Sequence, residues 1–260
     1  PKPSSAASDV YKRQDPTDTT EAFKVSGRGE LHLSVLIENL RREGYEFQVS
    51  KPEVMMKKDE NGKKLEPIEI ATIDVDQVYA GSIIEKLGRR KGEMIDMKPS
   101  NSGYTRLIFR IPARGLIGYR TEFMTDTKGT GILNSEFEKY DLYKGDIEKR
   151  SVGSLIASET GIATAYGLNS AQSRGVLFIS PSEEIYEGLV VGQNAKGLDI
   201  DVNVCKKKKL TNTRASGSDD AITLTPPIKM SVEEMMEFVE EDELIEITPN
   251  NLRVRKRILD

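Results

Sequence analysis

The sequence predicts an α+β protein built from three consecutive units. Two patterns support this prediction. In the middle of the chain, apolar residues at helical and at alternating spacing follow one another in the order of a split β-α-β motif. After about residue 146, short strands between turns rich in Gly, Asn and Ser dominate. The length of 260 residues by itself suggests about two domains.

Residues 1–20 are rich in Pro, Ser, Ala, Asp and Thr and have no apolar periodicity. We therefore expect them to be disordered. Because their composition differs from that of the rest of the chain, we also interpret them as a sequencing or assembly artefact and leave them out of the fold prediction.

Residues 21–55 predict a strand, a helix and a second strand. The helix places four apolar residues on one face: Leu33, Leu36, Ile37 and Leu40. Gly44 ends this helix. A β-α-β unit of this size buries too little surface to be stable alone, so we interpret it as part of a ferredoxin-like domain.

Residues 66–145 predict the order β-α-β-β-α-β, which is the ferredoxin-like arrangement. The predicted strands are Ile68–Val75, Glu93–Met97, Tyr104–Ile111 and Ile132–Tyr140. The apolar stripes of the two predicted helices contain Ala80, Ile83, Ile84 and Leu87 in the first and Leu116, Tyr119 and Phe123 in the second. This unit is the complete domain of the chain.

Residues 146–260 predict a mostly β C-terminal domain with one helix. Ser231 and Glu234 have the spacing of a capping box and mark the start of that helix. The predicted strands are Ser154–Ala157, Ile162–Leu168, Gly175–Ser180, Gly188–Gln193, Leu198–Val204, Ala221–Thr225, Leu244–Ile247 and Leu252–Ile258.

Composition excludes several classes of protein. The formal net charge is -4, so nucleic-acid contacts have to come from clustered cations and not from the overall charge. Cys205 is the only cysteine, which excludes a disulfide framework and a Cys-based zinc site and fits the cytosol. The longest apolar runs fall short of the roughly 20 residues of a membrane span, so no membrane contact is expected.

No pattern points to catalysis. The sequence has no phosphate-binding loop of the form G-x-x-x-x-G-K-[ST], and the D-x-x-G string Asp126–Gly129 is better explained as a helix end. His32 is interpreted as a packing or surface residue, the alternative being a Ser-His-Asp triad for which nothing marks a nucleophile. Cys205 is either a half-buried residue at a strand end or a thiol activated by nearby lysines. We expect no catalytic residue, metal or cofactor.

Clustered cations are the strongest functional signal. Residues 204–216 follow an alternating strand, carry four lysines and an arginine, and contain almost nothing that could be buried. The four basic clusters are Lys206–Lys209 with Arg214; Lys86, Arg89, Arg90 and Lys91; Arg106, Arg110, Arg114 and Arg120; and Arg253, Arg255, Lys256 and Arg257. Each cluster alone is either a solvated surface or an anion-binding site. Cations that neutralise phosphates make binding salt-sensitive.

Aromatic residues available for stacking on bases are scarce in the C-terminal unit. The candidates are Tyr166, Phe178, Tyr186 and Phe238. We therefore expect contacts to the backbone and shape of RNA to dominate over sequence recognition.

Three motifs resemble one protein family. Ser26–Leu33 (Ser-Gly-Arg-Gly-Glu-Leu-His-Leu) is similar to a motif in domain III of elongation-factor-G-like translational GTPases. Residues 112–124, followed by 127–131, resemble domain V of the BipA/TypA branch. Residues 209–217, 226–228 and 242–249, together with the capped helix, resemble the C-terminal domain specific to that branch.

The resemblance implies that residues 21–55 are the second half of domain III, residues 66–145 domain V, and residues 146–260 the BipA-type C-terminal domain. It implies a ribosome-associated cytoplasmic protein, monomeric, with a role in large-subunit assembly, translation and stress adaptation. GTP and Mg²⁺ would bind in a G domain that this sequence lacks, so the fragment itself is expected to hydrolyse no GTP.

The expected partners are the ribosome, its large-subunit rRNA and the acceptor end of an A-site tRNA. The resemblance places the tRNA contact in a loop at residues 201–219. The alternatives are a stand-alone RNA-binding module and an enzyme located in the β-rich unit. The residues predicted to contact RNA are Lys206, Lys207, Lys208, Lys209, Thr211, Asn212, Arg214, Ser216, Arg89, Arg90, Lys91, Arg114 and Arg120.

Overall fold

The structure, a computed structural model, describes residues 13–16, 22–27, 29–99, 103–147, 150, 152–208 and 222–259. Within these residues, six helices and sixteen strands form the α+β arrangement that the sequence predicts. None of these helices is both long and apolar enough to cross a membrane.

The N-terminal part contains a short hairpin. Strand β1 (Arg13–Pro16) pairs antiparallel with β2 (Phe23–Ser26). The prediction of disorder for residues 1–20 is therefore wrong for 13–16, and the rest of that stretch lies outside the described residues. Backbone pairing explains the difference, since a strand needs no apolar periodicity where a neighbouring strand supplies its hydrogen bonds.

Helix α1 (Glu30–Arg42) and strand β3 (Phe47–Ser50) confirm two predicted elements. Strand β3 joins no sheet within residues 21–55. It pairs antiparallel with Glu243–Ile247, nearly 200 residues later in the chain. Ile37 of α1 is buried in the same cluster as Val232 and Met236 of the C-terminal unit. This segment therefore completes its packing against the C-terminal unit.

The middle unit has the predicted ferredoxin-like order. Its elements are β4 (Lys57–Lys58), β5 (Lys64–Asp76), α2 (Gln77–Arg89), β6 (Glu93–Pro99), β7 (Tyr104–Pro112), α3 (Ala113–Leu116), α4 (Tyr119–Asp126) and β8 (Ile132–Leu142). The sheet order is β8-β5-β7-β6, all antiparallel, with β4 paired to the start of β5. Ile73, Leu107 and Phe123 are buried between this sheet and the helices.

Local chemistry fixes the two ends of α2. The Asp76 carboxylate accepts a hydrogen bond from the Val78 N–H at 3.0 Å and caps the helix start. At the other end, Lys91 adopts φ 66°, in the left-handed region, and the Gly92 N–H donates to the Leu87 carbonyl. The exposed cations of the second basic cluster lie at this helix end.

The C-terminal unit is mostly β. Its elements are β9 (Gly153–Ala157), β10 (Gly161–Ile162), α5 (Ala165–Gln172), β11 (Gly175–Leu177), β12 (Glu184–Ile185), β13 (Leu189–Asn194), β14 (Ile200–Val202), α6 (Val232–Phe238), β15 (Glu243–Ile247) and β16 (Leu252–Lys256). The seven-stranded sheet runs β14-β9-β13-β16-β15-β3, with β11 also paired to β13. Strand β14 is parallel to β9.

Helix α6 confirms the predicted capping box. The Ser231 hydroxyl accepts a hydrogen bond from the Glu234 N–H at 3.3 Å, and the Glu234 carboxylate accepts one from the Ser231 N–H at 2.7 Å. The helix is seven residues long, and its buried face contains Val232, Met235 and Met236. These side chains pack against β15, β16 and α1.

Two strand predictions in this unit are wrong. The predicted strand Ile162–Leu168 ends after Ile162, and helix α5 begins at Ala165, so this unit has two helices in the described residues where the sequence predicts one. Thr164 caps that helix and overrides the strand preference of its neighbours. No strand forms at the described residues 222–225 of the predicted strand Ala221–Thr225.

Candidate nucleic-acid interface

The lysine segment emerges from the end of β14. Val202 and Val204 are buried in the core of the C-terminal unit, which fixes the base of the segment. The next side chains, Lys206, Lys207 and Lys208, are all exposed. Lys209, Thr211, Asn212, Arg214 and Ser216 lie outside the described residues. The structure therefore positions the first three cations of the predicted site and leaves the other five predictions as they were.

Helix α5 holds the chain on both sides of the segment 209–221. At its N-terminus, the Thr164 hydroxyl donates to the Lys206 carbonyl at 2.6 Å. At its C-terminus, the Gln172 amide donates to the Thr223 carbonyl at 3.0 Å and accepts from the Thr225 N–H at 3.1 Å. An eight-residue helix is roughly 12 Å long. The anchored residues Lys206 and Thr223 thus lie at opposite ends of a helix that the sequence patterns do not predict.

The start of the segment lies tightly against α5. A Cβ atom at Gly167 would collide with the Val204 carbonyl, so only glycine permits this close approach. The Thr164 hydroxyl also accepts the Gly167 N–H at 3.0 Å. One threonine therefore both caps the helix and fixes the lysine segment. A Thr followed by apolar residues at helical spacing is the signal that could have identified it.

Lys206 and Lys207 have no ion-pair partner among the residues that the structure describes. Cys205, just before them, donates a weak hydrogen bond from Sγ to the Glu159 carbonyl at 3.9 Å. Burial, with a contribution from Glu159, raises the pKa of the Cys205 thiol. The interpretation of Cys205 as a half-buried residue at a strand end is confirmed, and its thiol is not activated by the lysines.

Two of the four cations of the second cluster are committed to the fold. Arg90 donates to the carbonyls of Gly115 and Ile117 and to the Glu122 carboxylate, and its guanidinium lies 5.1 Å from the centre of the Tyr119 ring. Lys86 forms ion pairs with Glu122 and Asp126. The RNA contact predicted for Arg90 stays a prediction, but this guanidinium already serves the packing of α2 against α4.

Arg89 and Lys91 are the exposed members of that cluster. Arg89 pairs with Glu85 one helical turn away, at 2.7 Å, with both side chains largely exposed. Lys91 is exposed and unpaired within the described part of the chain. Such residues remain able to contact a phosphate, because an exposed ion pair of this kind is weak.

The third cluster is divided by the fold. Arg114 binds the fully buried Glu66 and the Gly145 carbonyl, and its guanidinium stacks on Tyr143 at 4.4 Å. Arg114 therefore serves the fold as Arg90 does, and its predicted RNA contact is untested. Arg120 is exposed and lies away from Arg114, beside the acidic residues Glu30 and Glu237.

The remaining arginines of the third cluster lie on the open face of the ferredoxin-like sheet. Arg106 makes a two-pronged ion pair with Asp74 at 2.7 and 2.8 Å, and Arg110 makes one with Glu138 at 2.7 Å. Hydrogen bonding from Arg106 lowers the pKa of Asp74, and that from Arg110 lowers the pKa of Glu138. Carboxylates from β5 and β8 therefore pair with these two arginines of β7.

The fourth cluster also pairs internally. Lys256 contacts Asp199, Asp242 and the fully buried Glu243, while Arg255 is directed to the carbonyl of Lys256 and lies 4.0 Å from Glu246. Arg255 and Lys256 thus lie among acidic residues of the C-terminal unit, whereas Arg257 is exposed.

Asp126–Gly129 does not fit a nucleotide phosphate. Each backbone N–H from Thr127 to Gly129 donates to a carbonyl of α4, and the Thr127 hydroxyl donates to the Phe123 carbonyl at 2.8 Å. A segment whose donors are all used in this way offers none to a phosphate. The interpretation of this string as a helix end is confirmed. Within the described residues, no group of three His, Cys, Asp or Glu side chains is placed to hold a metal ion.

Two family models match adjacent parts of the chain. The elongation factor G C-terminus matches residues 63–151, and the TypA/BipA C-terminal domain matches residues 152–260. The chain belongs to the TypA/BipA family. Three proteins named large ribosomal subunit assembly factor BipA align with almost all of it: 52% identity over 251 residues in Haemophilus influenzae, 49% over 251 residues in Salmonella typhimurium and 49% over 253 residues in Bacillus subtilis.

These alignments cover 96–97% of this chain but only 41% of each relative. The chain therefore spans well under half the length of the BipA proteins that it matches. A crystal structure of a protein from Thermus thermophilus aligns with 22% identity and a TM-score of 0.30, over 32% of this chain and 12% of that one. That likeness is too low to support an argument about the fold.

Next to the boundary between the two matched domains, Arg150 organises a buried junction. Its guanidinium donates to the Phe238 carbonyl at 2.6 Å, to the Ser154 hydroxyl at 2.8 Å and to Glu243 at 2.9 Å. It also lies 4.1 Å from the centre of the Phe238 ring. In this TypA/BipA chain, a residue next to the end of the elongation-factor-like part is thus anchored against the core of the family-specific domain. No motif in the sequence marks Arg150.

Proposed function

We propose that this chain is a ribosome-binding part of a TypA/BipA protein. It contacts large-subunit rRNA and the acceptor end of an A-site tRNA through the lysine segment that begins at Lys206. On this proposal the protein is cytoplasmic, monomeric and ribosome-associated, and it acts in large-subunit assembly, translation and stress adaptation.

The observation that carries the proposal is the contrast among the cations. Lys206 and Lys207 are exposed and unpaired in the described part of the chain, next to a strand end that is firmly buried. Such a site attracts a polyanion at little cost, because no internal ion pair has to be broken first. The relatives are named as large ribosomal subunit assembly factors, which supports RNA of the large subunit as the polyanion.

We assign no catalytic step to the described residues. GTP and Mg²⁺, which the family resemblance implies, would be bound by the part of the TypA/BipA relatives that does not align with this chain. Among the other predicted contacts, Arg89, Lys91 and Arg120 are exposed enough to add phosphate contacts from the ferredoxin-like domain. Arg90 and Arg114 would first have to leave their carboxylate partners.

The test is co-sedimentation of the chain with purified large ribosomal subunits across a salt series. The variant replaces Lys206, Lys207 and Lys208 with alanine. Because each phosphate contact contributes a fixed amount to the slope of log affinity against log salt, the variant is expected to flatten that slope and to lower affinity by about 10-fold to 100-fold.

A second triple-alanine variant, at Lys98, Lys139 and Lys229, serves as the matched control. It removes the same amount of charge, but from lysines that already pair with Asp96, Asp141 and Glu183. The control should bind like the unaltered chain. Equal weakening by both variants would mean that overall charge matters and not the segment, and unchanged binding by the first variant would overturn the proposal.

A further inference from the structure

One of the four aromatic residues of the C-terminal unit that could stack on a base remains available. Phe178 and Phe238 pack edge to face in the core, with ring centres 5.3 Å apart. The Tyr186 hydroxyl donates to Glu246, and its ring packs against the core. Tyr166, in contrast, is 37% exposed, and its side chain makes no hydrogen bond or ring contact among the described residues.

Tyr166 lies beside the start of the lysine segment. It is the second residue of α5, between Thr164, which holds the Lys206 carbonyl, and Gly167, which lies against Val204. Side chains on a helix tilt toward its N-terminus, so the Tyr166 ring leans toward the helix end that Lys206 crosses. The ring and Lys206 therefore lie at the same end of α5.

The exposed face of α5 continues in polar residues. Tyr166, Asn169, Ser170 and Ser173 follow one another at helical spacing and are all exposed. This stripe runs from the helix end that holds Lys206 to the end where Gln172 holds Thr223 and Thr225. This surface thus has one aromatic ring and several hydrogen-bonding groups. It lies between the helix end that holds Lys206 and the helix end that holds Thr223 and Thr225.

We propose that Tyr166 stacks on an unpaired base of the RNA whose phosphates Lys206, Lys207 and Lys208 bind. This inference rests on the proposed function and specifies the ligand as RNA with a single-stranded end. A tyrosine on the surface of a helix reaches the face of a base only where no neighbouring base covers it, which excludes the interior of a duplex. Stacking on one aromatic ring tolerates any base. The other three aromatic residues of the C-terminal unit are engaged in the fold, so we expect no recognition of a base sequence by stacking.

The chain contains no tryptophan, so the variant Tyr166→Trp carries a single fluorescent reporter at the proposed site. The probe is a synthetic acceptor-stem minihelix with an unpaired 3′ end, compared with the same stem made blunt-ended. We expect the minihelix to quench the tryptophan and the blunt stem to leave it unchanged. Tyr104→Trp is the matched control, because Tyr104 is similarly exposed, at 43%, in the ferredoxin-like domain.

Affinity measurements separate stacking from charge. Tyr166→Ala is expected to weaken binding of the minihelix on the order of 5-fold to 100-fold without changing the salt slope, whereas Tyr166→Phe keeps the ring and should bind normally. Because Tyr166 is exposed, neither change should disturb folding, which circular dichroism checks.

Different failures have different meanings. If Tyr166→Ala binds normally while the triple lysine variant binds weakly, the stacking inference fails and the proposed function stands. Equal losses with the minihelix and the blunt stem would also overturn stacking. If the triple lysine variant binds both minihelix and subunits normally, the proposed function fails.

Discussion

Four arginines of the ferredoxin-like domain and two lysines of the C-terminal unit use their charges in opposite ways. In the first, Arg90, Arg106, Arg110 and Arg114 all form ion pairs with carboxylates of the same domain. In the second, Lys206 and Lys207 are exposed without such partners in the described part of the chain. The clusters look alike in the sequence. Whether a cation is available for a ligand depends on carboxylates that are distant along the chain, such as Glu66, which is 48 residues from Arg114.

The two regions also differ in how their sheets are completed. The ferredoxin-like sheet closes on strands from within residues 57–142. The C-terminal sheet adds β3, from before the ferredoxin-like domain, as its edge strand. An edge strand leaves backbone groups unpaired, and β3 covers the outer edge of β15. The sheet of the C-terminal unit therefore includes a strand from a segment that the sequence assigns to another domain.

Arg114→Ala is expected to have the largest effect on stability. It leaves the fully buried Glu66 without its cation, which should lower the free energy of unfolding by about 3–5 kcal/mol. Urea denaturation measures this change. Arg89→Ala removes an exposed ion pair from the same domain and should cost well below about 1 kcal/mol. If both variants lowered the free energy of unfolding equally, the distinction between cations paired inside the fold and cations available to a ligand would be wrong.

Ile37→Ala tests whether the C-terminal unit depends on the N-terminal segment. Ile37 is buried against α6, so the change should cost about 2–4 kcal/mol. It should also speed amide hydrogen exchange in β15 and β16. Val35→Ala on the same helix, where the side chain is 49% exposed, is the control and should leave exchange unchanged. Unchanged exchange after Ile37→Ala would mean that the fold of the C-terminal unit does not need the packing of α1.

Glu30→Gln tests the junction between the two regions. Burial and the nearby Glu237 raise the pKa of Glu30 to about 7, against opposing contributions from the Gly118 N–H and Arg120. Its Oε1 atom is buried without a hydrogen-bond partner among the described residues. Burial likewise raises the pKa of Glu237, while a hydrogen bond with Thr121 opposes the shift.

A raised pKa means that the folded protein holds this proton more tightly than the unfolded chain does. The contribution of Glu30 to stability is therefore full below pH 4.5 and is lost as the pH rises through about 7. Glu30→Gln should be more stable than the unaltered chain at pH 8, by about 1–2 kcal/mol after allowing for partial hydration. Thermal unfolding between pH 5 and pH 8 measures this difference, and parallel curves would contradict it.

Arg106→Ala should have the smallest effect on stability, because its ion pair with Asp74 lies on the open face of the sheet. The pKa of Asp74 should rise toward its ordinary value, since Arg106 is the main cause of its lowering. A lowered carboxyl pKa stabilises the fold at neutral pH, and this stabilisation is lost as the pH falls through that pKa. The variant should therefore be slightly less stable than the unaltered chain at neutral pH and equally stable in acid. Carbon NMR of the Asp74 carboxyl follows the change, and an unchanged pKa would contradict the pairing.

Several parts of the structure follow from short-range patterns. The periods of apolar residues predict the β-α-β-β-α-β order because each element of the ferredoxin-like domain buries one face of its own. The Ser231–Glu234 capping box predicts the start of α6 because its hydrogen bonds lie within one turn. The exposure of Lys206, Lys207 and Lys208 also follows from the sequence, since nothing in that segment can form a core.

Other features depend on contacts between residues far apart in the chain. Ile162–Leu168 resembles a strand by composition, but α5 begins within it at Ala165, where Gly167 packs closely against the distant Val204. In the same way, the pairing of β3 with β15 and the buried partner of Arg114 bring distant residues together. The sequence by itself determined the family, the order of most elements and the lysine segment, because each of these depends on residues that are close together in the chain. Only the tertiary structure decided which cations are neutralised and which aromatic ring stays exposed, because both depend on side chains that are distant in the sequence and that folding places next to them.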